Sequence, residues 1–168
     1  WREYAERDKL WRGADRKRGA LHELNVALGD GRSKLICAGG KLPANAQYVL
    51  TLDADTYLAP GEGILLANAM AHPLNRDEGY GIIQPRMSTT AASRTNSRIA
   101  RLYAGDGMDF YSQAASEVYM DISGEGNYAG KGIYHIDTFM RNAEEVIKPG
   151  PVLSHELLEG SLAHCELA

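Results

Sequence analysis

The chain has 168 residues, 44% of them apolar, and a formal charge of −4, which is enough for one packed domain. That balance argues against a broadly basic nucleic-acid binder, although Arg12, Arg16, Lys17 and Arg18 form a local basic cluster. No apolar run reaches the roughly 20 residues of a membrane helix, no signal peptide is evident, and Cys37 and Cys165 lack metal-ligand spacing or a disulfide framework, which fits a reducing compartment.

Leu21, Leu24 and Leu28 recur at helical spacing, and Gly29-Asp30-Gly31 is expected to end that helix. The run YVLTL, 48–52, reads as a strand. Pro60 and Glu62 open a second helix running to about Ala71, where His72 and Pro73 stop it. GYGIIQPR, 79–86, reads as a second strand ended by Pro85, and the polar stretch 87–97, rich in Ser and Thr, as a loop. Helical patterns return around 97–104 and 107–120, followed by a third strand in YAGKGIYHI, 128–136. Asp137 is expected to cap a helix with Phe139, Ala143 and Val146 on one face, and KPGP, 148–151, to form a turn. Ser154 is expected to cap a last helix with Leu158, Leu162 and Cys165 along one stripe. Strands alternating with helices predict an α/β layered domain spanning 1–168 as a single unit.

The sharpest local feature is VLTLDADTYL, 49–58, where an oily strand ends in Asp53 and Asp55. The carboxyl end of a sheet strand is where open α/β sheets bind ligands. In extended backbone residues i and i+2 point the same way, so the two carboxylates are expected to converge. Two carboxylates that close repel unless a cation or proton lies between them, and a hard divalent ion such as Mg²⁺ or Mn²⁺ suits oxygen ligands and phosphate. The pair equally fits a plain strand end followed by a turn cap. Two chemistries use such a pair: sugar transfer from a nucleotide diphosphate, and phosphoryl transfer of the haloacid dehalogenase type, which LDADT and the later GDGMD resemble. The second scheme needs a lysine between its acidic motifs, and none occurs between Lys41 and Lys131.

Downstream, LSHELLEG, 153–160, places Glu156 and Glu159 three apart in the first turns of the last helix, where the dipole favours negative charge. Glu159 reads as a complement to that dipole. Glu156, after a histidine and a proline turn and anchored by an apolar stripe, is the candidate for accepting a proton from an acceptor hydroxyl. His155 reads as a structural histidine or a neighbour that tunes Glu156.

Seven segments in order, RKRGALHELN (16–25), YVLTLDADT (48–56), MAHPLNR (70–76), GYGIIQPRM (79–87), SRIARLYAGD (97–106), GEGNYAGKGIY (124–134) and VLSHELLEG (152–160), resemble the glycosyltransferase region of bacterial cyclic β-1,2-glucan synthases. The likeness runs from about residue 7 to the end of the chain, and more remotely the chain is similar to the processive transferases that include cellulose synthase. The resemblance implies a GT-A-like fold, a mixed sheet flanked by helices, truncated at its N-terminus because the strands that grip uracil would precede Trp1. It implies an inverting glucosyltransferase that takes glucose from UDP-glucose onto a growing β-1,2-glucan, with a divalent metal, Mg or Mn, as cofactor. A metal-dependent phosphohydrolase and a non-catalytic glucan-binding fragment are the alternatives.

Carried onto this sequence, the resemblance implies that Asp53 and Asp55 bind the nucleotide sugar and metal, Asp55 directly, and that Glu156 is the catalytic base. The related pattern more often has aspartate there. Lys17 and Arg18 match a basic-Gly-x-Leu-x-x-x-Asn segment near the nucleotide and are expected to hold diphosphate, and Gln84 to bond sugar hydroxyls. The glycine-spaced loop 124–132 is expected to let backbone approach a ligand, with Glu125, Asn127 and Lys131 along the acceptor channel. The expected setting is the remainder of a membrane-embedded multi-domain protein at the cytoplasmic face of the inner membrane. An exposed sheet edge in the truncated domain would favour self-association.

Overall fold

The computed structural model describes residues 3–6, 9–12, 16–29, 32–33, 35–87, 90–103, 122–147 and 154–168. The expected helix at 107–120 and the KPGP turn lie outside them. Two short strands, β1 (Glu3–Ala5) and β2 (Leu10–Arg12), pair antiparallel with Tyr4 opposite Trp11. Their rings stand 5.5 Å apart, and Trp11 is 66% exposed. Helix α1 (Arg16–Gly29) follows and then β3 (Tyr48–Thr51). Next come α2 (Glu62–Ala71), the short α3 (Pro73–Asp77) and β4 (Ile82–Gln84).

The stretch read as a loop contains a helical turn, α4 (Ala91–Thr95), started by Thr90, whose side chain accepts from Ser93 N–H, and α5 (Arg98–Tyr103) follows. A Ser/Thr-rich stretch lacks an apolar stripe, yet a single hydroxyl cap is enough to begin such a turn. Strand β5 (Gly132–His135) runs into α6 (Ile136–Phe139), which widens into a π-helical turn at Met140–Glu144. The cap of α6 is His135 rather than Asp137: its ring nitrogen accepts from Thr138 N–H at 3.4 Å. The π turn advances the register, so Ile147 is buried with Phe139 and Ala143 while Val146 is exposed. Helix α7 (His155–Leu162) starts at Ser154 as expected, with the Ser154 hydroxyl accepting from Leu157 N–H. The expected stripe does not continue to Cys165, because Ala163 ends the helix and His164, at φ 52°, turns the chain into β6 (Cys165–Leu167).

The sheet order is β3-β5-β4-β6, with β5 antiparallel to both its neighbours and β6 parallel to β4. This mixed sheet has a helix layer on each face. Ile83 and Ile133, cross-strand partners, pack with Leu66 and Met70 of α2. On the opposite face Ile82 and Tyr134 pack with Tyr128, Phe139, Ala143, Ala163 and Cys165, and Leu28 of α1 joins them. The alternation of neighbours along β4 and β5 follows from the two-residue period of a strand. Tyr134 hydroxyl donates to Asn25 Oδ1 at 2.7 Å, fixing α1 to the sheet. Among the described residues no helix is long and apolar enough to cross a membrane.

Candidate active site

Asp53 lies two residues beyond β3, and Lys131 one residue before β5. The register pairs Thr51 with Gly132, so carrying it past the ladder brings these two charged residues to the same end of the sheet. Lys131 Nζ stands 2.9 Å from Asp53 Oδ2. Lys17, in the first turn of α1, reaches the same carboxylate from another direction, with Nζ 2.5 Å from Oδ1. It also donates to Gly130 O at 2.7 Å. Hydrogen bonds from Lys17 and then Lys131 hold the Asp53 carboxyl below the usual carboxylate range, so it is ionised at neutral pH.

Glu156 comes to the same place from the start of α7. Gly130 has φ +72°, and a Cβ there would lie 3.1 Å from Glu156 Cγ and 3.7 Å from Lys17 Nζ. The Ser154 hydroxyl that caps the helix also stands 3.3 Å from Glu156 Oε2, so the cap that starts the helix steadies the carboxylate. Four elements thus bring Lys17, Asp53, Lys131 and Glu156 around one glycine, and three of these side chains, Lys17, Lys131 and Asp53, are 37%, 22% and 35% exposed.

Asp55 is exposed nearby, but not by strand alternation. Thr56 N–H donates to Asp53 O at 3.0 Å, so the backbone turns at Ala54 and Asp55. The extended-chain argument for convergence therefore stops at Asp53. Among the described residues no three His, Cys, Asp or Glu side chains gather as a set that could hold a metal ion; Asp55 offers a single exposed carboxylate, whereas the two oxygens of Asp53 each hold an ammonium group.

Arg18 points away from this cluster. Its guanidinium is 3.1 Å from Glu159 Oε1 through Nε and donates through Nη2 to Ile147 O at 3.0 Å. Both side chains are nearly buried, so Glu159 is half of an interior ion pair rather than a surface complement to the helix dipole. Gln84 is also buried, at 1% exposure, and its amide oxygen accepts from Ala129 N–H at 2.5 Å. It braces the glycine loop from beneath. Glu125 accepts from Ser161 Oγ at 3.2 Å. Ser161 is five residues along α7 from Glu156, roughly 7–8 Å of helix rise. Asn127 is half-buried in the same loop. Lys131, expected along the acceptor channel, thus stands with Asp53 and apart from Glu125.

Gly126 and Gly132 of the loop serve close packing within the protein. A Cβ on Gly126 would lie 2.8 Å from Cys165 O, and one on Gly132 would lie 2.5 Å from Ile83 O. Gly160 of α7 similarly presses on Tyr128, whose phenol lies 3.3 Å from Thr51 Oγ1 and whose acidity is suppressed chiefly by burial. The same Thr51 hydroxyl reaches the carbonyls of Gly130 and Gly132 at 3.3 and 3.2 Å. Sequence reasoning missed the Lys131–Asp53 pair and the double duty of Ser154. The antiparallel pairing of β3 with β5 was the signal for the first, and the serine two residues before Glu156 was the signal for the second.

The fold and the site define a mixed α/β protein with an acidic and ammonium-bearing cluster where β3 and β5 meet. No family model matches the chain. It is 39% identical over 177 aligned positions to the cyclic beta-(1,2)-glucan synthase NdvB of Rhizobium meliloti (strain 1021), a match taking in 98% of this chain and 6% of that protein. The chain is therefore related to a short segment of a cyclic β-(1,2)-glucan synthase, as its seven ordered segments implied.

Proposed function

We propose that this chain is part of a GT-A-type domain that transfers glucose from UDP-glucose to a growing β-1,2-glucan, with inversion at the anomeric carbon. The observation that carries the reading is the meeting of Asp53, Lys17, Lys131 and Glu156 at one solvent-open place, in a relative of a glucan synthase. In this scheme Glu156 takes the proton of the acceptor 2-hydroxyl as its oxygen bonds to the anomeric carbon, and the bond from that carbon to the diphosphate oxygen breaks. Lys17 meets the charge appearing on the departing UDP. A divalent ion, Mg or Mn, bound through Asp55 would supply further neutralisation of that charge. Glu125 and Asn127 remain candidates for touching the glucan acceptor. The proposed setting is the cytoplasmic face of the inner membrane within a larger protein. Neither a phosphohydrolase nor a pure glucan-binding role has an observation of its own in its favour.

The test is calorimetric titration of UDP-glucose with Mn²⁺, together with glucose transfer in the intact synthase carrying this segment. Glu156→Gln is expected to keep donor affinity within about twofold and to lower transfer by at least about 100-fold, the size expected for loss of a general base. Asp55→Ala is expected to remove the Mn²⁺-dependent part of donor binding. A near-normal transfer rate in Glu156→Gln would remove it as the base. Oligoglucan binding that ignores loss of both aspartates, with no transfer, would favour the binding-fragment reading.

A further inference from the structure

We propose that Thr51 is a positioning residue of the candidate site: its buried hydroxyl holds the Gly130 carbonyl from the interior, and that carbonyl sets where the Lys17 ammonium stands. The part Lys17 plays in transfer rests on the transferase reading above, while the hold of Thr51 on Lys17 rests on the following geometry.

Thr51 is the last residue of β3 and only 4% exposed. Its Oγ1 lies 3.3 Å from Gly130 O, 3.2 Å from Gly132 O and 3.3 Å from the Tyr128 hydroxyl. Carbonyl oxygens only accept, and a hydroxyl has one proton to give. Burial keeps the Tyr128 phenol protonated, so it has a proton to place on Thr51. With Tyr128 donating to Thr51, the threonine proton is left for the two glycine carbonyls. A β-branched side chain is stiff about its first torsion, so the hydroxyl has little freedom to turn elsewhere.

Gly130 O is thus gripped from two sides, by Thr51 beneath and by Lys17 Nζ at 2.7 Å on the open side. A carbonyl oxygen has two lone pairs and accommodates both donors. Gly130 has no Cβ to restrict its backbone, so the direction of its carbonyl is left to these hydrogen bonds. The preceding residue repeats the pattern. Gln84, buried under the loop, accepts from Ala129 N–H at 2.5 Å, while Lys131 Nζ donates to Ala129 O at 3.3 Å. Two successive loop residues are therefore each held by a buried polar side chain on one side and a lysine on the other. The backbone of Thr51 is already paired with Gly132 in the sheet, so β3 does not need the hydroxyl to keep its register. Valine, equally β-branched, would fill the same space without it.

The test is limiting acetylation of the 168-residue chain, with the rate at each lysine read by mass spectrometry and exposed Lys41 as internal reference. Thr51→Val is expected to raise the Lys17 rate about fivefold, as for loss of one ordinary hydrogen bond, and to leave Lys131 at the parent rate. Thr51→Ser keeps the hydroxyl and is expected to restore the parent rate at Lys17. An unchanged Lys17 rate in Thr51→Val, equal rises at Lys17 and Lys131, or a Thr51→Ser chain that behaves as the valine variant would each overturn the assignment. Equal rises would mean that the loop has merely loosened. Circular dichroism checks that each variant is folded; if Thr51→Val is not, Thr51→Cys, with a much weaker donor at the same place, is held to the same outcomes. In the intact synthase carrying this segment, Thr51→Val is expected to lower kcat about fivefold at unchanged KM for UDP-glucose, with Thr51→Ser near the parent. Faster Lys17 acetylation with full transfer activity would keep the positioning and remove Lys17 from the transferase reading. A fall in transfer with Lys17 acetylation unchanged would overturn the positioning and leave that reading standing.

Discussion

Lys17 and Arg18 are chain neighbours with opposite fates. Lys17 reaches the open cluster around Asp53, whereas Arg18 enters the interior to meet Glu159 and the carbonyl of Ile147. Adjacent positions on a helix differ by about 100°, so one must face the sheet end when the other faces α7. Removing the guanidinium from a nearly buried carboxylate is costly, since the charge keeps its desolvation penalty without its counterion. Arg18→Ala should lower unfolding free energy by roughly 3 kcal/mol in urea titration, whereas Lys17→Ala, at a screened pair, should shift it by less than about 1 kcal/mol. A small effect in Arg18→Ala would show that the pair does not anchor α7. From the sequence, Asp53 and Glu156 were legible because they sit at the ends of elements, where chemistry and capping patterns concentrate. The division of labour between Lys17 and Arg18 was not, because Glu159 lies 141 positions from Arg18 and nothing local announces it.

Among the elements, β3, β4 and β5 announced themselves through short apolar runs, and α7 through its serine cap. Strand β6 was hidden because Leu158, Leu162 and Cys165 fit a helical spacing as well as a helix followed by a strand. What decides between them is His164 at positive φ and a parallel partner, β4, far back in the chain. The hairpin β1–β2 was hidden by its length, since three residues per strand leave almost no alternation to read. The glycine loop was recognised, but its purpose was not. Gly132, at φ +150°, lets β5 lie against β4, and a Cβ there would strike the backbone oxygen of Ile83 at 2.5 Å. Backbone cannot step aside as a side-chain tip can, so Gly132→Ala should destabilise by about 1–3 kcal/mol or more. A matching fall in Tm would follow, and an unchanged Tm would mean that the two strands separate more easily than their register suggests. Since Lys131 precedes this glycine, the same variant should also disturb the Asp53 cluster.

At the scale of the whole molecule, one sheet carries helices on both faces and keeps its charged cluster at one end, where α1, the turn after β3, the glycine loop and α7 arrive together. The chain covers 6% of the glucan synthase it matches. The hairpin stands outside this arrangement: Trp11 is largely exposed on it, and Trp1, the other tryptophan of the sequence, lies beyond the described residues. Aromatic packing in the interior falls instead to Tyr134 and Phe139, stacked with centroids 4.4 Å apart. Indole fluorescence and tyrosine dichroism therefore watch different parts of the protein. In a Trp1→Phe background, native emission should already be red-shifted and open to acrylamide quenching, and should change little as denaturant is added, while the near-ultraviolet dichroism of Tyr134 collapses with the sheet. A spectroscopist following only the fluorescence would record a quiet trace through a complete loss of structure.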